Sequence, residues 1–535
     1  MVFTLQRYIF RELFRVFVLA AVALMLMLSI GSILRPIQEY GAGPTQAIHL
    51  MGYFLPITLT FILPMAALFA ASLVYGRFAA DNELDACRAS GISLMTLVYP
   101  GLALAIMVAI ANLILSFYVT PAFVQRAQKS LKADAKQIIF RNIQRHGYYR
   151  PPDGRYLIYA DQVVSQKDTL LGVIITELND NRIERTIAAE SAVVKFNTHK
   201  QFNEVQVTAY NTYQTGDNEV GFSTKWITLT KEFPTLMSDE LKFKKIDEIK
   251  AIRVDPMLFY PIAKIAYEAY SQFTAELLAQ DIDATLSSDP NATYRLYSGT
   301  AGKSGIEFKA GKCVMKDRRK IELSNITLAE ADPADPKRVL VLNAEKGYLH
   351  IEGEELSPTL TIELLSATWQ RIDGTKGLTS RHLVRGLVLP KSVTDTFTGK
   401  NVLDVLSPEY VGSTLKKGPE VNFIALQNEL RRKIQKTLVE IKAEMYSRLV
   451  FGLGCVLMIL IGIGLGIIQK GGHLLTAFGS SCIPAAVLIV CIMMGKNIAR
   501  NRSSSSANLG LLLMWVGLIL LALLAYGIYR RLMRN

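Results

Sequence analysis

The stretch 76–91, GRFAADNELDACRASG, is a short charged segment between two long uncharged runs, 50–75 and 92–125. Crossing the roughly 30 Å hydrocarbon core of a bilayer takes about 20 apolar residues, and both runs are longer than that. We therefore predict two membrane helices, with the charged segment at the membrane surface between them.

The charged segment itself predicts a surface helix. Asp81, Glu83 and Asp85 fall near its start, where the helix dipole favours acidic side chains. Gly91 stands where a helix C-terminal cap favours glycine. This pattern is typical of a short helix that connects two membrane spans.

Composition places the chain among membrane proteins. Half of its 535 residues are hydrophobic, which is high for a soluble protein. The net charge of +13 would suggest nucleic acid in a soluble protein, but here much of it lies beside apolar runs or in the hydrophilic region between them. We therefore predict contact with anionic lipid and no nucleic-acid partner. Cys313 is the only cysteine in the large hydrophilic region, so no disulfide can form within it.

Six apolar runs are long enough to span a bilayer, three on each side of a large hydrophilic region. They are 16–34, 50–75, 92–121, 449–469, 474–495 and 509–529. The first run follows a basic N-terminus as a signal peptide would, but no small-residue cleavage site follows it. We predict a retained first helix that ends at Arg35-Pro36. The fold class is therefore an α-helical membrane protein with six transmembrane helices in a 3 + 3 arrangement.

The hydrophilic region predicts antiparallel β structure. Segments that alternate with period two, with turns every ~8–12 residues, are typical of a sandwich or jelly roll. A faint similarity between 186–196 and 341–351 suggests two such units in tandem. The predicted domains are 1–121 for transmembrane helices 1–3 with the coupling helix 76–91, 122–237 for a β-jelly roll, 238–390 for a second β-rich unit with a helix near 256–280, 391–446 for a return segment and the helix that leads back to the membrane, and 447–535 for transmembrane helices 4–6.

Loop charges predict the orientation. With the N-terminus inside, nine basic residues of the short loops and tails lie in the cytoplasm and four lie outside, as the positive-inside rule requires. The cytoplasmic ones are Arg7, Arg11, Arg15, Arg77, Arg88, Lys470, Arg530, Arg531 and Arg534, and the external ones are Arg35, Lys496, Arg500 and Arg502. Both termini and the charged segment are therefore predicted inside, and the β domain outside.

The sequence carries no complete catalytic or metal-binding motif. Residues 299–304, GTAGKS, imitate the end of a phosphate-binding loop, but Tyr297 occupies the position of its first glycine. The histidines form no HExxH pair and the cysteines no CxxC pair. We predict no enzymatic activity and no cofactor or metal, so the energy source must be a partner chain.

Several stretches resemble the lipopolysaccharide export permease family of Gram-negative bacteria, the LptF/LptG (YjgP/YjgQ) subunits. The resemblance covers roughly 1–230 and 400–535. It is carried by RYIFRELFR (7–15), YGRFAADNELDACRASGIS (75–93), RTIAAESA (185–192), EMYSRLVFGLGCVLMILIGIGLG (444–466) and Arg35 at the exit of the first span.

The resemblance implies a function for the whole chain. Paired F-type and G-type subunits would form the membrane half of an ABC transporter, with a dimer of a separate LptB-type ATPase docked on the cytoplasmic helices. ATP-driven closure would extract lipopolysaccharide from the inner membrane and pass it to a periplasmic jelly-roll bridge of LptC/LptA type. The chain departs from the family by roughly 150 extra residues, about 238–390.

The resemblance also assigns roles to four residues. Glu83, with Asp81 and Arg88, would contact the ATPase; alternatively Glu83 only stabilises a helix dipole, and Asp81 and Arg88 pair with each other. Arg35 would face the inter-subunit cavity and bind a lipid A phosphate; alternatively it extends to the membrane interface as Arg commonly does. Two other functions remain open: a membrane-anchored envelope scaffold or receptor, and export of another envelope lipid.

Overall fold

The structure is a computed structural model. The residues that it describes are 2–40, 44–150, 156–164, 168–179, 182–198, 203–216, 219–233, 240–288, 292–298, 305–317, 320–331, 339–352, 359–371, 374–469, 474–501 and 504–534. They form two compact units, one made of 1–253 and 438–535 and the other of 254–437.

Helices begin and end the chain and also occur between its two sheets. In chain order they are α1 (Val2–Tyr40), α2 (Pro44–Ala80), α3 (Glu83–Ala89), α4 (Leu94–Ile114), α5 (Thr120–His146), α6 (Ile246–Val254), α7 (Tyr260–Ser288), α8 (Lys391–Phe397), α9 (Val402–Val405), α10 (Pro408–Thr414), α11 (Val421–Ile468), α12 (Leu474–Asn501) and α13 (Ser504–Arg534). A π-helix, Leu115–Val119, joins α4 to α5, and short 3-10 helices lie at Leu241–Phe243 and Pro256–Leu258.

Five helices of the described residues are long and apolar enough to cross a membrane, judged by length and composition. Their limits are Leu55–Ala80, Leu94–Arg126, Val421–Ile468, Cys482–Arg500 and Asn508–Arg534. These correspond to five of the six predicted spans.

The predicted first span, 16–34, lies in α1, and the side chains of 29–40 are outside the described residues. Its predicted end at Arg35-Pro36 is wrong, because α1 continues to Tyr40 and α2 already begins at Pro44. A proline within a helix lacks one hydrogen-bond donor but does not have to end the helix.

Small residues let the membrane helices approach closely. Ala66, Ala67, Ala70 and Ala71 of α2 all lie in one buried cluster. Where α11 crosses α2, a Cβ atom at Gly466 would lie 2.8 Å from the Ser72 carbonyl oxygen. Close backbone approach at glycine is a common basis of helix association in membranes.

The first unit also carries a six-stranded antiparallel sheet. Its strands are paired in chain order and are β1 (Tyr148–Tyr149), β2 (Tyr156–Val164), β3 (Thr169–Asn179), β4 (Arg182–Thr198), β5 (Asn203–Gly216) and β6 (Glu219–Phe233). One face is buried, where Leu170, Ala192 and Ala209 stand opposite one another on successive strands. The sheet begins directly after α5, which occupies the first part of the predicted domain 122–237.

The second unit contains a sheet of a different topology. Its strands are β7 (Tyr294–Ser298), β8 (Gly305–Lys309), β9 (Lys312–Asp317), β10 (Lys320–Ala331), β11 (Val339–Glu352), β12 (Thr359–Arg371) and β13 (Lys376–Val388). The strand order is β11-β12-β13-β7-β8-β10-β9, and β10 also pairs with β11. Six strands therefore form a closed ring, with β9 paired outside it on β10.

The ring does not repeat the strand order of the first sheet. Asn325, at a φ of 51°, divides β10 into a part that pairs with β9 and a part that pairs with β8. β13 joins β7 through Leu387 and Val388, at one end of the ring. The expected tandem of two similar β units is therefore not met in strand order. Buried side chains of α7, including Phe273 and Leu278, continue the core beside this sheet.

Candidate functional site

The charged segment 76–91 forms the junction between two membrane helices. Its first residues complete α2, which runs to Ala80, and only Glu83–Ala89 form the separate helix α3. Asn82 makes the turn between them with a φ of 59°, and Gly91 ends the segment with a φ of 84°. Asparagine and glycine are the residues that most readily adopt this left-handed conformation. The predicted helix 76–91 is thus divided by a tight turn.

Apolar side chains on one face attach α3 to the membrane helices. Leu84 is buried in the same core cluster as Phe78 of α2 and Leu97 of α4. Cys87, one turn later, packs against that cluster. Residues three apart share a helix face, so this pair holds α3 firmly against the spans.

The three residues assigned to an ATPase contact lie together on this segment. Asp81 is in the turn, Glu83 opens α3 and Arg88 is near its end. All three side chains are exposed, as is Asp85 between them. A segment with a packed underside and charged outer side chains has the form of a docking surface.

The N-terminal part of α1 supports the same junction. Arg77 Nη2 lies 3.1 Å from Glu12 Oε1, and Arg15 Nη1 lies 3.5 Å from Glu12 Oε2. Tyr8 stacks on Phe78 with ring centroids 5.9 Å apart. These contacts join α1 to the end of α2 beside the charged segment.

A second group of charges is buried, and the sequence did not point to it. Glu444 and Arg448 follow one another by one turn of α11, and their side chains are 8% and 5% exposed. Arg448 Nε donates to Glu444 Oε1 at 3.0 Å, and Lys496 Nζ of α12 donates to Glu444 Oε2 at 2.5 Å. We call Glu444, Arg448 and Lys496 the buried cluster.

Arg448 also binds backbone carbonyl groups from two other segments. Its Nη1 donates to the Ser116 carbonyl oxygen at 3.1 Å, and its Nη2 donates to that of Lys242 at 2.9 Å. Ser116 lies in the π-helix, a rare irregularity often found at functional positions. The guanidinium therefore ties α11 to the α4–α5 junction and to the segment before α6.

The buried cluster is a structural clamp with satisfied charges. Arg500 Nε lies 3.5 Å from Glu440 Oε1 and continues the contact between α12 and α11 at the surface. A sequence signal was present, since Glu444 and Arg448 stand four apart directly before an apolar run, a position where ionisable residues require partners. The partners themselves come from segments distant in the chain.

Other predicted features receive less information. Arg35 belongs to α1, but its side chain lies outside the described residues, as do residues 299–304 of the incomplete phosphate-loop motif. In the part of the chain that the structure describes, no group of three or more His, Cys, Asp or Glu side chains could hold a metal ion. Burial raises the pKa of the Cys313 thiol to about 12, which keeps it protonated and unreactive.

Comparison with known families gives one further finding. The chain matches the family model described as lipopolysaccharide export system permease LptF/LptG, over residues 7–275 and 308–531. The match includes the charged segment, the buried cluster and most of 238–390, where the resemblance had led us to expect a departure. Comparison with individually curated proteins gave no significant match.

Proposed function

This chain belongs to the lipopolysaccharide export permease family LptF/LptG, and from that premise we propose that it is the transmembrane permease subunit of an ABC transporter. It extracts lipopolysaccharide from the inner membrane and passes it to a periplasmic β-jelly-roll bridge toward the outer membrane. The chain itself carries out no chemistry, and ATP is hydrolysed by a cytoplasmic ATPase dimer of LptB type.

The form of the charged segment is the observation that carries this proposal. Leu84 and Cys87 fasten α3 to the ends of two membrane helices, while Asp81, Glu83 and Arg88 remain exposed. A force applied to the outer side of such a helix is transmitted to both spans. In this proposal, Glu83 forms the main ion pair with the ATPase, and Asp81 and Arg88 flank it.

The proposed topology has six spans, with α1 as the first. Both termini and the charged segment face the cytoplasm, and the two sheets lie in the periplasm. The charge asymmetry of the short loops supports this orientation. A paralogous LptF/LptG-type chain completes the membrane unit, and bridge proteins of LptC/LptA type receive the lipid.

The buried cluster has a mechanical role in this proposal. Arg448 binds the Ser116 carbonyl in the π-helix and the Lys242 carbonyl beyond the first sheet. Movement of α4 against α11 would therefore act on the segment that follows that sheet. This gives the ATP-driven motion a route out of the spans without a charge exposed to lipid.

Arg35 is the proposed substrate-binding residue, in contact with a lipid A phosphate. Because charge reversal would repel the phosphate, Arg35→Glu is expected to weaken lipid crosslinking several-fold while the complex still assembles. Photo-crosslinking in isolated membranes, with co-purification of the second permease subunit as the assembly control, measures both quantities. Normal crosslinking by an assembled Arg35→Glu complex would refute this role.

The central experiment is a detergent pull-down of tagged wild-type and Glu83→Lys protein, with co-purifying chains identified and ATPase activity assayed. We expect the wild type to bring down an ATPase and a second permease subunit, and Glu83→Lys to lose the ATPase only. Reversing one ion-pair charge replaces attraction by repulsion at the contact.

Glu409→Lys is a matched control. Glu409 is also an exposed acid in the first turn of a seven-residue helix, α10. If Glu83 acted only on its helix dipole, the two variants would behave alike. If no ATPase accompanies the intact wild type, transport loses its energy source, and a membrane-anchored scaffold or receptor becomes the better hypothesis. If the ATPase is present but lipopolysaccharide does not stimulate it, the cargo is another envelope lipid.

A further inference from the structure

A groove in the second unit is lined by one face each of α7 and α11. It encloses about 480 Å³. Its walls are Tyr260, Pro261, Lys264 and Ile265 from α7, and Glu429, Arg432, Lys433 and Lys436 from α11. On α11 the four positions are spaced i, i+3, i+4 and i+7, which places them on one side of the helix.

The two helices are fastened together beside the groove. Phe273 of α7 and Phe423 of α11 have ring centroids 6.0 Å apart. The Glu420 N–H donates to Glu276 Oε2 at 3.1 Å, just before α11 begins. Since positions rise along α7 as they fall along α11, the helices are antiparallel, and the groove lies toward the start of α7.

The walls of the groove differ in chemistry. The α11 wall carries three cations against the single acid Glu429. None of the ion pairs between described residues engages Arg432, Lys433 or Lys436. A planar guanidinium with two ammonium groups nearby is a strong arrangement for a phosphate group.

The α7 wall is mainly apolar. Tyr260, Pro261 and Ile265 are each partly buried, and Lys264 is the only charged side chain that this wall contributes. A hydrophobic wall facing a cationic one fits a molecule with a phosphate at one end and an apolar part beside it. Inorganic phosphate would use only half of such a site.

We propose that this groove binds a phosphate-bearing amphiphile, with the phosphate on Arg432, Lys433 and Lys436 and the apolar part against Pro261 and Ile265. The shared chemistry is the phosphate group, which either a lipid headgroup or a soluble phosphate can supply. This site is separate from Arg35 and from the ATPase contact, and it does not require the chain to be a transporter.

The test uses the full-length protein in detergent with two soluble probes. One is dihexanoyl phosphatidic acid below its micelle concentration, and the other is inorganic phosphate; affinities are measured by thermophoresis. We expect the wild type to bind the phosphatidic acid at least tenfold more tightly than phosphate. Equal affinity for both would show a free-phosphate site and overturn the apolar half of the proposal. Binding of neither would overturn all of it.

Variants of each wall locate the site. The double variant Arg432→Glu with Lys433→Glu is expected to lose at least tenfold in affinity for phosphatidic acid. Arg431→Glu, an exposed neighbour on another side of α11, should change it less than twofold. Equal losses in both would mean general charge attraction and would refute the groove.

Ile265→Gln tests the apolar wall. It should weaken phosphatidic acid binding several-fold and leave phosphate binding unchanged, because it removes apolar contact without altering charge. Unfolding temperatures of all variants check that each folds. The readout is independent of ATPase activity, so a failure here is distinguishable from a failure of the permease proposal.

Discussion

The charged segment and the buried cluster show two uses of the same kinds of side chain. Glu83 and Arg88 are exposed on a seven-residue helix, whereas Glu444 and Arg448 are almost completely buried on the longest helix of the chain. Exposed charges contribute little to stability and are available to a partner. Buried charges must be satisfied within the fold, and breaking one partner away is costly. The first pair is therefore suited to docking and the second to holding helices together.

The largest expected effect comes from opening the buried cluster. Arg448→Ala removes the partner of Glu444 and also leaves the Ser116 and Lys242 carbonyls without this donor. We expect a loss of about 3–5 kcal/mol in the free energy of unfolding. The measurement is thermal and denaturant unfolding in detergent.

Arg500→Ala is the control for that loss. Arg500 forms a more exposed ion pair with Glu440 on the same two helices, so its removal should cost about 0–1 kcal/mol. Similar losses in the two variants would show that burial does not separate the two classes of charge in this protein.

A packing variant asks whether charge is the main constraint between these helices. Gly466→Leu places a side chain where even a Cβ would meet the Ser72 carbonyl oxygen at 2.8 Å. Overpacking of this kind is expected to cost about 1–3 kcal/mol. Gly527→Leu on α13 is the control, since no atom lies within 4 Å of its added Cβ. An unchanged unfolding temperature for Gly466→Leu would contradict the close approach of α2 and α11.

A third carboxylate sharpens the comparison through pH. Glu276 is buried, but its donors are neutral: Gln272 Nε2 at 3.0 Å and the Glu420 N–H at 3.1 Å. Burial raises its pKa above the usual 4.5, although both hydrogen bonds oppose that change. The folded state thus holds the proton more tightly than the unfolded state, and stability falls as pH rises from 4.5 through the raised pKa.

Glu276→Gln removes this ionisation. Relative to the wild type, it should gain stability as pH increases from 4.5 to 8, by on the order of 1 kcal/mol. Unfolding temperatures across that pH range measure the difference. A gap between variant and wild type that is constant with pH would contradict the assignment.

The smallest expected effect on stability comes from the charged segment. Glu83→Lys should change the free energy of unfolding by no more than about 0.5 kcal/mol, because the side chain is exposed. The same variant is expected to lose the ATPase. A large drop in unfolding temperature would instead indicate that Glu83 supports the fold, and the loss of the ATPase would then carry no information about docking.

Much of the architecture was predictable because it depends on local patterns. The alternation in 172–178 and 360–365 predicted strands, and β3 and β12 contain them. The helix expected near 256–280 is confirmed as α7. The family was also recognisable, since 75–93 carries a distinctive order of glycines and charges. The assigned roles of Asp81, Glu83, Arg88 and Arg35 stay predictions.

Other features could not be predicted from local patterns. The division of 76–91 depends on a left-handed turn at Asn82, and most residue types can occur in sequences that would read as continuous helix there. The length of α1 depends on whether neighbours tolerate the missing donor of Pro36. The groove between α7 and α11 depends on which faces two distant helices present to each other.

The amino-acid sequence alone determined the membrane class, the apolar spans, the β-rich regions and the family, because apolar length and periodicity are properties of contiguous residues. Only the tertiary structure decided the closure of β10 onto β11 and the partners of Arg448. Ser116 lies 332 positions before that arginine. A side chain's burial and hydrogen-bond partners are set by segments that meet only after folding, and no local pattern contains that information.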